Sequence, residues 1–486
     1  MRSHDLRGWI QQLQDEKEIK IVEAEVSLDE IAVICRRCYD IKGGGPALLF
    51  KNITGFKEGT FQKLFTGGLS SFKRIALMLG LPKETPYLKL VEEVTERLGH
   101  PIKPVVVSEG KVKQNIIRSN FKLSEIPVPK WHPLDGGPYI NTLCGVVTRD
   151  PEDGELNVGL YRGQVLDDEN IGVLMTGTSH WGIAYKKYQR LKKDMPVAVA
   201  YGWDPVMGCV ACAPVSSPEY DVMGGLIKKP VSLIKCETSD LLVPADAEIV
   251  IEGHISIDPS TYRVEGPFGE YTGYYGEARL RPVIKIDCIT HRNDPIFRGT
   301  LEGMKPGMRN EDSYMYAVTL SGVTKRILDS QGVPGVLEVF ASTVTYVKIR
   351  KFYRGHAQQV AAALWGNGSA QYLHKVVVVV DEDIDIHNLR ALDWAMANRF
   401  NPEEDDLVVF PGSVGGILDP SIRIENRDEM RYGAGKWARM LLDLTISDLD
   451  HLKRPEWNNE SYPPDALVQD EATVKLVEKR WPEYGI

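Results

Sequence analysis

Between residues 140 and 300 the chain strings together six short β-rich runs, NTLCGVVTRD, ELNVGLYRGQVL, MPVAVAYG, PVSLIKCE, AEIVIEGHISI and PVIKIDCITHR, spaced by turns. No other feature narrows the fold as much: runs of this length and spacing predict a mostly antiparallel sheet or a partly closed barrel. One basic helical stretch, YKKYQRLKKD, interrupts them, and its charges are expected to form a solvated helix face.

The flanks follow other rules. SLDEIAVICRRCYD has apolar residues at helical spacing behind an N-cap-like Ser27, PALLFKNI reads as a strand after the breaker Gly43-Gly44-Gly45-Pro46, and PYLKLVEEVTERLGH is an amphipathic helix closed by Gly99. The proline-punctuated SEIPVPKWHPLDGGPYI looks like a boundary. The last third returns to βαβ logic: helix GHAQQVAAALWG, the near-continuous apolar strand KVVVVVDEDIDI, helix NLRALDWAMANRF and then strand DDLVVF. The expected division is an α/β region over 1–115, a β-rich region over 116–310, an α/β region over 311–455 and an arm over 456–486 reaching a neighbouring subunit. The fold class is α/β (α+β).

A chain of 486 residues is too long for one core, so two or three domains are expected. A net charge of −9 argues against a nucleic-acid or anionic-membrane surface. No apolar run reaches membrane-span length, and the start, MRSHDLRGWIQQLQDEKE, has no apolar h-region; together with seven scattered cysteines this predicts a cytoplasmic protein with reduced thiols. The pairs Cys35/Cys38 and Cys209/Cys212 sit in apolar surroundings and read as small buried hydrophobes rather than zinc ligands. KGGGP lacks the Lys-Ser/Thr helix start of a phosphate loop, and FPGSVGGILDPS is expected to be a mobile loop. Neither resembles the dinucleotide fingerprint, which argues against a nicotinamide dehydrogenase.

Two constellations carry candidate chemistry. LNVGLYRGQ places Asn157, Tyr161 and Arg162 around Gly159; on a flat strand Asn157 and Arg162 would face opposite ways, so a bend at Gly159 is needed to unite them. TGTSHWG adds His180 and SSPEYD adds Glu219. Amide oxygen, imidazole and carboxylate suit Mn2+ or Mg2+ better than zinc, although a lone histidine is as a rule a satisfied interior residue. In EGPFGEYTGYYGE, Gly266-Pro267 and Gly269 turn the backbone so that Glu265 and Glu270 can face one cavity. Repulsion, and burial beside Tyr271, Tyr274 and Tyr275, should raise one pKa and leave a proton donor, while an arginine holds the other carboxylate ionised. The alternative, loop-capping glutamates, stays open on these residues alone.

NVGLYR, SHWG, SPEYDVMGGL, EGPFGEYTGYY and THRNDPI stand in the order found in the UbiD-like carboxy-lyases, which the chain resembles from PALLFKN to DEDIDIHNLRALDWAMANRFNP. The resemblance implies a central split β-barrel domain that binds prenylated FMN, flanked by an N-terminal α/β region and a C-terminal α/β oligomerisation domain, in homodimers or homohexamers. It implies a separate flavin prenyltransferase as cofactor supplier. It also implies a Mn2+ (or Mg2+) ion on Asn157, His180 and Glu219 that bridges the cofactor phosphate, with K+ often nearby on backbone carbonyls. Carried over by position, Leu160, Tyr161, Arg162, Thr176, Gly177, Thr178, Trp181 and Gly182 match flavin-lining segments, Lys375 a lysine approaching the phosphate, and Arg162, Glu265 and Glu270 the catalytic network. The implied reaction is reversible, non-oxidative decarboxylation of an aromatic or heteroaromatic acid, with an α,β-unsaturated acid as the second class. In that scheme Arg162 orients the substrate carboxylate, Glu270 protonates the product carbon and CO2 leaves. The rival readings are a conventional FMN oxidoreductase and a catalytically inactive assembly protein of the same fold.

Overall fold

The computed structural model describes residues 4–485 except 42, 304, 306, 369–372, 414, 429–432, 435–436 and 446–469. Its centre is a nine-stranded sheet. Along the path run Tyr139–Asn141, Gly163–Asp167, Asn170–Val173, Val283–His291, Ile249–Ile255, Met195–Tyr201, Gly145–Arg149 and Leu156–Gly159, with Asn115–Ile117 also paired to Val283–His291. Every pairing in it is antiparallel. One of the six runs, PVSLIKCE, lies outside it: Ser232–Lys235 pairs with Leu242–Pro244 and Val105–Val106 in a small separate sheet.

The run ELNVGLYRGQVL forms two strands, and their placement dictates the shape. Leu156–Gly159 and Gly163–Asp167 stand six places apart in the strand order, which in a flat sheet is about 29 Å. Residues 160–162 join them, and a link of that length spans at most about 14 Å. The sheet therefore has to curl until Leu156–Gly159, at one edge, comes close to Gly163–Asp167, one strand in from the other edge. A side-chain contact crosses the same curl: the Tyr201 hydroxyl donates to Asn141 Oδ1 at 2.5 Å, although their strands are five places apart. Ile171, Val146, Val199, Ile249, Ile251 and Ile284 fill the inside and are fully excluded from solvent.

The N-terminal helices form as the sequence predicts. Leu28–Tyr39 is opened by a reciprocal Ser27/Glu30 capping box, and Tyr87–Leu98 is followed by Gly99 as its cap. The adjoining sheet orders Ile19–Val22, Ala47–Phe50, Lys63–Thr66 and Ile296–Arg298. Its last strand is supplied by chain that has just left the central sheet and runs parallel to Lys63–Thr66, which ties the two regions together.

In the C-terminal region the order is Val336–Ala341, Thr345–Ile349, Val376–Asp381, Ala438–Leu444 and Leu407–Pro411. The valine strand lies in the middle with a parallel neighbour on each side, which accounts for its unbroken apolar run. Helices Glu311–Ser330, His356–Trp365 and Leu389–Asn398 accompany the sheet. DDLVVF departs from βαβ logic. The slot beside the valine strand is taken by Ala438–Leu444, so Leu407–Pro411 pairs antiparallel on the outer edge. Of the expected C-terminal arm, residues 456–469 lie outside the described residues; in the described part Glu471–Arg480 is helical. All seven cysteines are free thiols, with Cys35, Cys209 and Cys212 buried. No described helix is long and apolar enough to cross a membrane.

Candidate active site

EGPFGEYTGYYGE folds as nested hairpins. Arg263–Glu265 pairs with Arg279–Arg281, and inside them Phe268–Gly269 pairs with Tyr275–Gly276. The Gly266-Pro267 peptide is cis. The proline-punctuated passage is no mere spacer, since it clamps this turn. Asp135 accepts hydrogen bonds from the Gly269 and His132 amides at 2.9 and 2.8 Å, and the Gly136 amide donates to the Pro267 carbonyl at 2.8 Å. From the barrel, Gln164 Oε1 accepts from the Gly266 amide at 2.8 Å.

The turn carries Glu265 and Glu270 to either side of Arg162, which leaves the barrel seam between its two edge-joining strands. Arg162 donates from Nε and Nη2 to Glu265 at 3.0 and 2.8 Å and from Nη1 to Glu270. Burial alone would ease the loss of its proton; the two carboxylates outweigh that and raise its pKa. Glu265 is fully buried, which by itself favours the neutral acid. Arg162, a second arginine, Arg281, and the Tyr139 hydroxyl at 2.6 Å overcome this and hold its pKa below the usual carboxylate range. Glu270 is bonded to Arg162 and feels Arg281 only at longer range, so burial prevails and, with the nearby Glu265 charge, pushes its pKa up. The two glutamates are thus split by environment. The source of desolvation differs from expectation: Tyr271, Tyr274 and Tyr275 are exposed, whereas Phe268 and Tyr139, with ring centroids 4.1 Å apart, form the apolar packing. Arg162 also lies 5.5 Å from the Phe268 ring centroid.

Glu270 and Arg162 face a cleft of about 260 Å3, which Asn157, His180 and Glu219 also line, slightly below the ~300–1,000 Å3 usual for small-molecule sites. The break at Gly159 brings these residues to one side as required. Asn157 Oδ1 lies 3.1 Å from His180 Nδ1, Asn157 Nδ2 donates to the Tyr161 hydroxyl at 3.3 Å, and Glu219 Oε2 accepts from the Val158 amide at 3.1 Å. Burial pushes Glu219 up to about 7, because among the described residues no cation offsets it. Among those residues no group of three or more His, Cys, Asp and Glu is placed to hold a metal; this set has only two such side chains, with an amide as the third.

Leu160, Tyr161, Thr176, Thr178 and Trp181 line the same cleft; Gly177 and Gly182 are not among its lining residues and adjoin them in sequence. Three features suit a flat, phosphate-bearing cofactor. The helix His180–Leu191 begins at the cleft with no side-chain cap, leaving amide donors for an anion. A Cβ at position 182 would sit 1.9 Å from the Thr176 carbonyl oxygen, so glycine is needed for this helix start to close on Thr176. The buried Asn141 Nδ2 and Trp181 Nε1 line the cleft without hydrogen-bond partners, and the Tyr161 and Trp181 rings stack 4.2 Å apart. Lys375 stands apart from this group. Its ammonium binds Asp419 at 2.5 Å and Ser421 at 2.9 Å, one residue beyond Leu418 on the cleft wall.

Sequence reasoning missed Glu302, Asp312, Tyr316 and the glycine-rich wall Gly415–Gly416, all of which line the cleft. FPGSVGGILDPS therefore contributes part of this wall. Only the acidic character of LEGM and RNEDS signalled the first two, and short acidic turns are common on surfaces.

Three consecutive domains of the 3-octaprenyl-4-hydroxybenzoate carboxy-lyase family match this chain: the N-terminal domain over residues 10–94, the Rift-related central domain over 103–305 and the C-terminal domain over 313–443. The chain is 32% identical to the phenolic acid decarboxylase of Sedimentibacter hydroxybenzoicus over 490 residues, covering 97% of each. The closed form of the vanillic acid decarboxylase of that organism superposes with a TM-score of 0.87 at 31% identity, covering 100% of this chain and 99% of that one. HmfF from Pelotomaculum thermopropionicum, a UbiD-class enzyme solved in complex with FMN, superposes with a TM-score of 0.77 at 28% identity, covering 98% and 100%. An evolved dimeric form of HmfF, solved with prFMN, gives 0.76 at 28%, covering 95% and 99%. With all three domains matched in order along most of its length, the chain is a carboxy-lyase of the UbiD family.

Proposed function

We propose that this chain reversibly releases CO2 from an aromatic or heteroaromatic carboxylic acid, with an α,β-unsaturated acid as the second class, using prenylated FMN. The observation that carries the reading is the unequal carboxyl pair on Arg162: one glutamate held ionised by two arginines, the other raised by burial at the cleft. When bound, prenylated FMN supplies the electron sink that decarboxylation needs and that no side chain here offers. Arg162 orients the substrate carboxylate, and its bonds to Glu265 keep it fixed in place. Glu270, with its raised pKa, delivers a proton to the carbon that has lost CO2. The 160–162 segment, Thr176–Thr178, Trp181 and Gly182 bind the flavin, and the uncapped helix start takes its phosphate.

Asn157, His180 and Glu219 would hold Mn2+ (or Mg2+), whose charge would neutralise an anionic cofactor group, a role favoured by a buried carboxyl with no cation beside it among the described residues. The offset Tyr271 and Tyr316 rings on the cleft wall favour a flat substrate. Lys375 reaches the phosphate only by exchanging its bond to Asp419. A flavin prenyltransferase would supply the cofactor, K+ would be a further ion of the loaded enzyme, and the chain works as a homodimer or homohexamer in the cytoplasm.

Intact-mass analysis of the released flavin tests the reading. FMN plus one isoprenoid increment supports it. Plain FMN, reducible by NAD(P)H, points to an oxidoreductase, and no flavin after co-expression with a prenyltransferase points to an inactive assembly protein. A screen of aromatic and acrylic acids for CO2 release by loaded enzyme then separates the substrate classes.

A further inference from the structure

Two adjacent acids open the helix Glu311–Ser330 and meet opposite fates. Glu311 is fully engaged: it accepts from the Leu69 and Gly67 amides at 2.7 and 3.1 Å and pairs with Arg298. Asp312 is 4% exposed and lines the cleft. Its Oδ2 accepts from Asn310 Nδ2 at 2.9 Å, but its Oδ1 has no hydrogen-bond partner. A buried carboxyl oxygen left unpaired costs the protein its full desolvation penalty unless something else fills the position.

Glu302 stands beside it on the cleft, and among the described residues its side chain makes no hydrogen bond or ion pair. Its neighbour Gly303 has φ +66°, and a Cβ there would lie 2.6 Å from the Glu270 carbonyl oxygen and 2.8 Å from that of Gly269. Glycine thus lets the 302–303 turn press against the backbone of Glu270. Burial, and then Glu311, pushes Asp312 up to about 8, while burial together with Asp312 and Glu270 raises Glu302 well above the carboxylate range.

We propose that Glu302 and Asp312 are the hydroxyl-recognising wall of the cleft, so that the acid this chain accepts bears a ring hydroxyl and no second carboxylate. The inference rests on the decarboxylase reading above and narrows it. A hydroxyl donates to an ionised carboxylate or accepts from a protonated one, so it satisfies Asp312 Oδ1 in either state. A second carboxylate only accepts, so it can be held only while Glu302 and Asp312 both keep their protons, and ionisation of any acid in the cluster with Glu270 would repel it. An analogue without the hydroxyl leaves the buried oxygen unpaired, the situation in which polar sites discriminate most strongly.

The test is calorimetric titration of flavin-loaded, full-length protein with 3,4-dihydroxybenzoate, benzoate and terephthalate, run beside a CO2 assay. The wild type should bind the dihydroxy acid at least about tenfold more tightly than benzoate, and terephthalate more weakly than benzoate. Asp312→Leu and Glu302→Met should each shrink the hydroxyl preference to about threefold or less, and Asp312→Asn combined with Glu302→Gln should restore terephthalate binding to the benzoate level. If Asp312→Leu loses its flavin, Glu302→Met, at the more solvent-accessible of the two positions, decides the point. The inference is overturned if the wild type shows no hydroxyl preference, or if the preference survives Glu302→Met undiminished. Because binding is read separately from turnover, absence of CO2 from every acid would remove the decarboxylase reading while the titrations still decide the recognition site.

Discussion

At one end of the cleft, Arg162 commits Nε, Nη1 and Nη2 to Glu265 and Glu270, and Glu265 is bound again by Arg281 and Tyr139. At the other, Asn157 and His180 share one 3.1 Å contact, and Glu219 is buried with only a backbone amide against it and no cation among the described residues. The first end is finished by the chain itself. The second has its geometry but, among the described residues, no positive charge beside its buried carboxyl. Burial acts on both, yet only at the second does it leave an acid near neutrality with no guanidinium to oppose it.

The two ends should differ most at Arg162. Replacing it with Met strands one buried carboxylate and deprives the other of its main partner. Global stability in urea should fall by about 3–5 kcal/mol, with CO2 release lost; a loss under 1 kcal/mol would mean the network is not the self-sufficient end described here. Glu270→Gln keeps shape and removes the proton. Net CO2 release should drop by about 10^2–10^4-fold while bound flavin and manganese stay constant, and unchanged turnover would eliminate Glu270 as the donor.

The Asn157, His180 and Glu219 end gives a pH signature of opposite sign to a salt bridge. Because the folded-state pKa of Glu219 is raised from 4.5 to about 7, the folded protein binds the extra proton in that window. Stability of the metal-free protein should therefore be greatest below about pH 4.5 as far as this group is concerned, and decline as pH rises through 7, by on the order of 3 kcal/mol. Glu219→Gln or saturating Mn2+ should flatten that slope, and thermal melts across pH in the presence and absence of the ion would read it. A slope that Mn2+ leaves untouched would assign the titration elsewhere. The smallest effect on folding belongs to His180→Ala. The side chain is solvent-exposed, so metal-free stability should change by about 0.5 kcal/mol or less, yet manganese content and flavin retention should fall together; retention of both would discredit the ion's role.

Much of the site could be read from residues close in sequence. Asn157, Tyr161 and Arg162 lie within one run, and the single requirement added there, a break at Gly159, is met by the strand end at that residue. Glu265 and Glu270 could be paired because Gly266-Pro267 and Gly269 force a turn. What desolvates them was not legible. Tyr139 comes from a strand some 126 residues upstream, and nothing local distinguishes it from the exposed tyrosines beside the glutamates. Glu302 and Asp312 escaped for the same reason: in sequence Asp312 is indistinguishable from Glu311, and only the arrival of Arg298 and two amides at one of them leaves the other uncommitted. The valine strand announced its own burial, but the direction of Leu407–Pro411 depended on which neighbour had already taken the inner slot.

The link of residues 160–162 across the barrel seam has a consequence for how the enzyme comes into being. The guanidinium proposed to hold the substrate sits on a tether of three residues across that seam, so competence cannot precede closure. A refolding chain with every strand made but its seam still agape would be inert. Recovery of activity would thus serve as a clock for the last zipping of the barrel, and lengthening the tether by a few residues should delay that moment before it disturbs the finished fold.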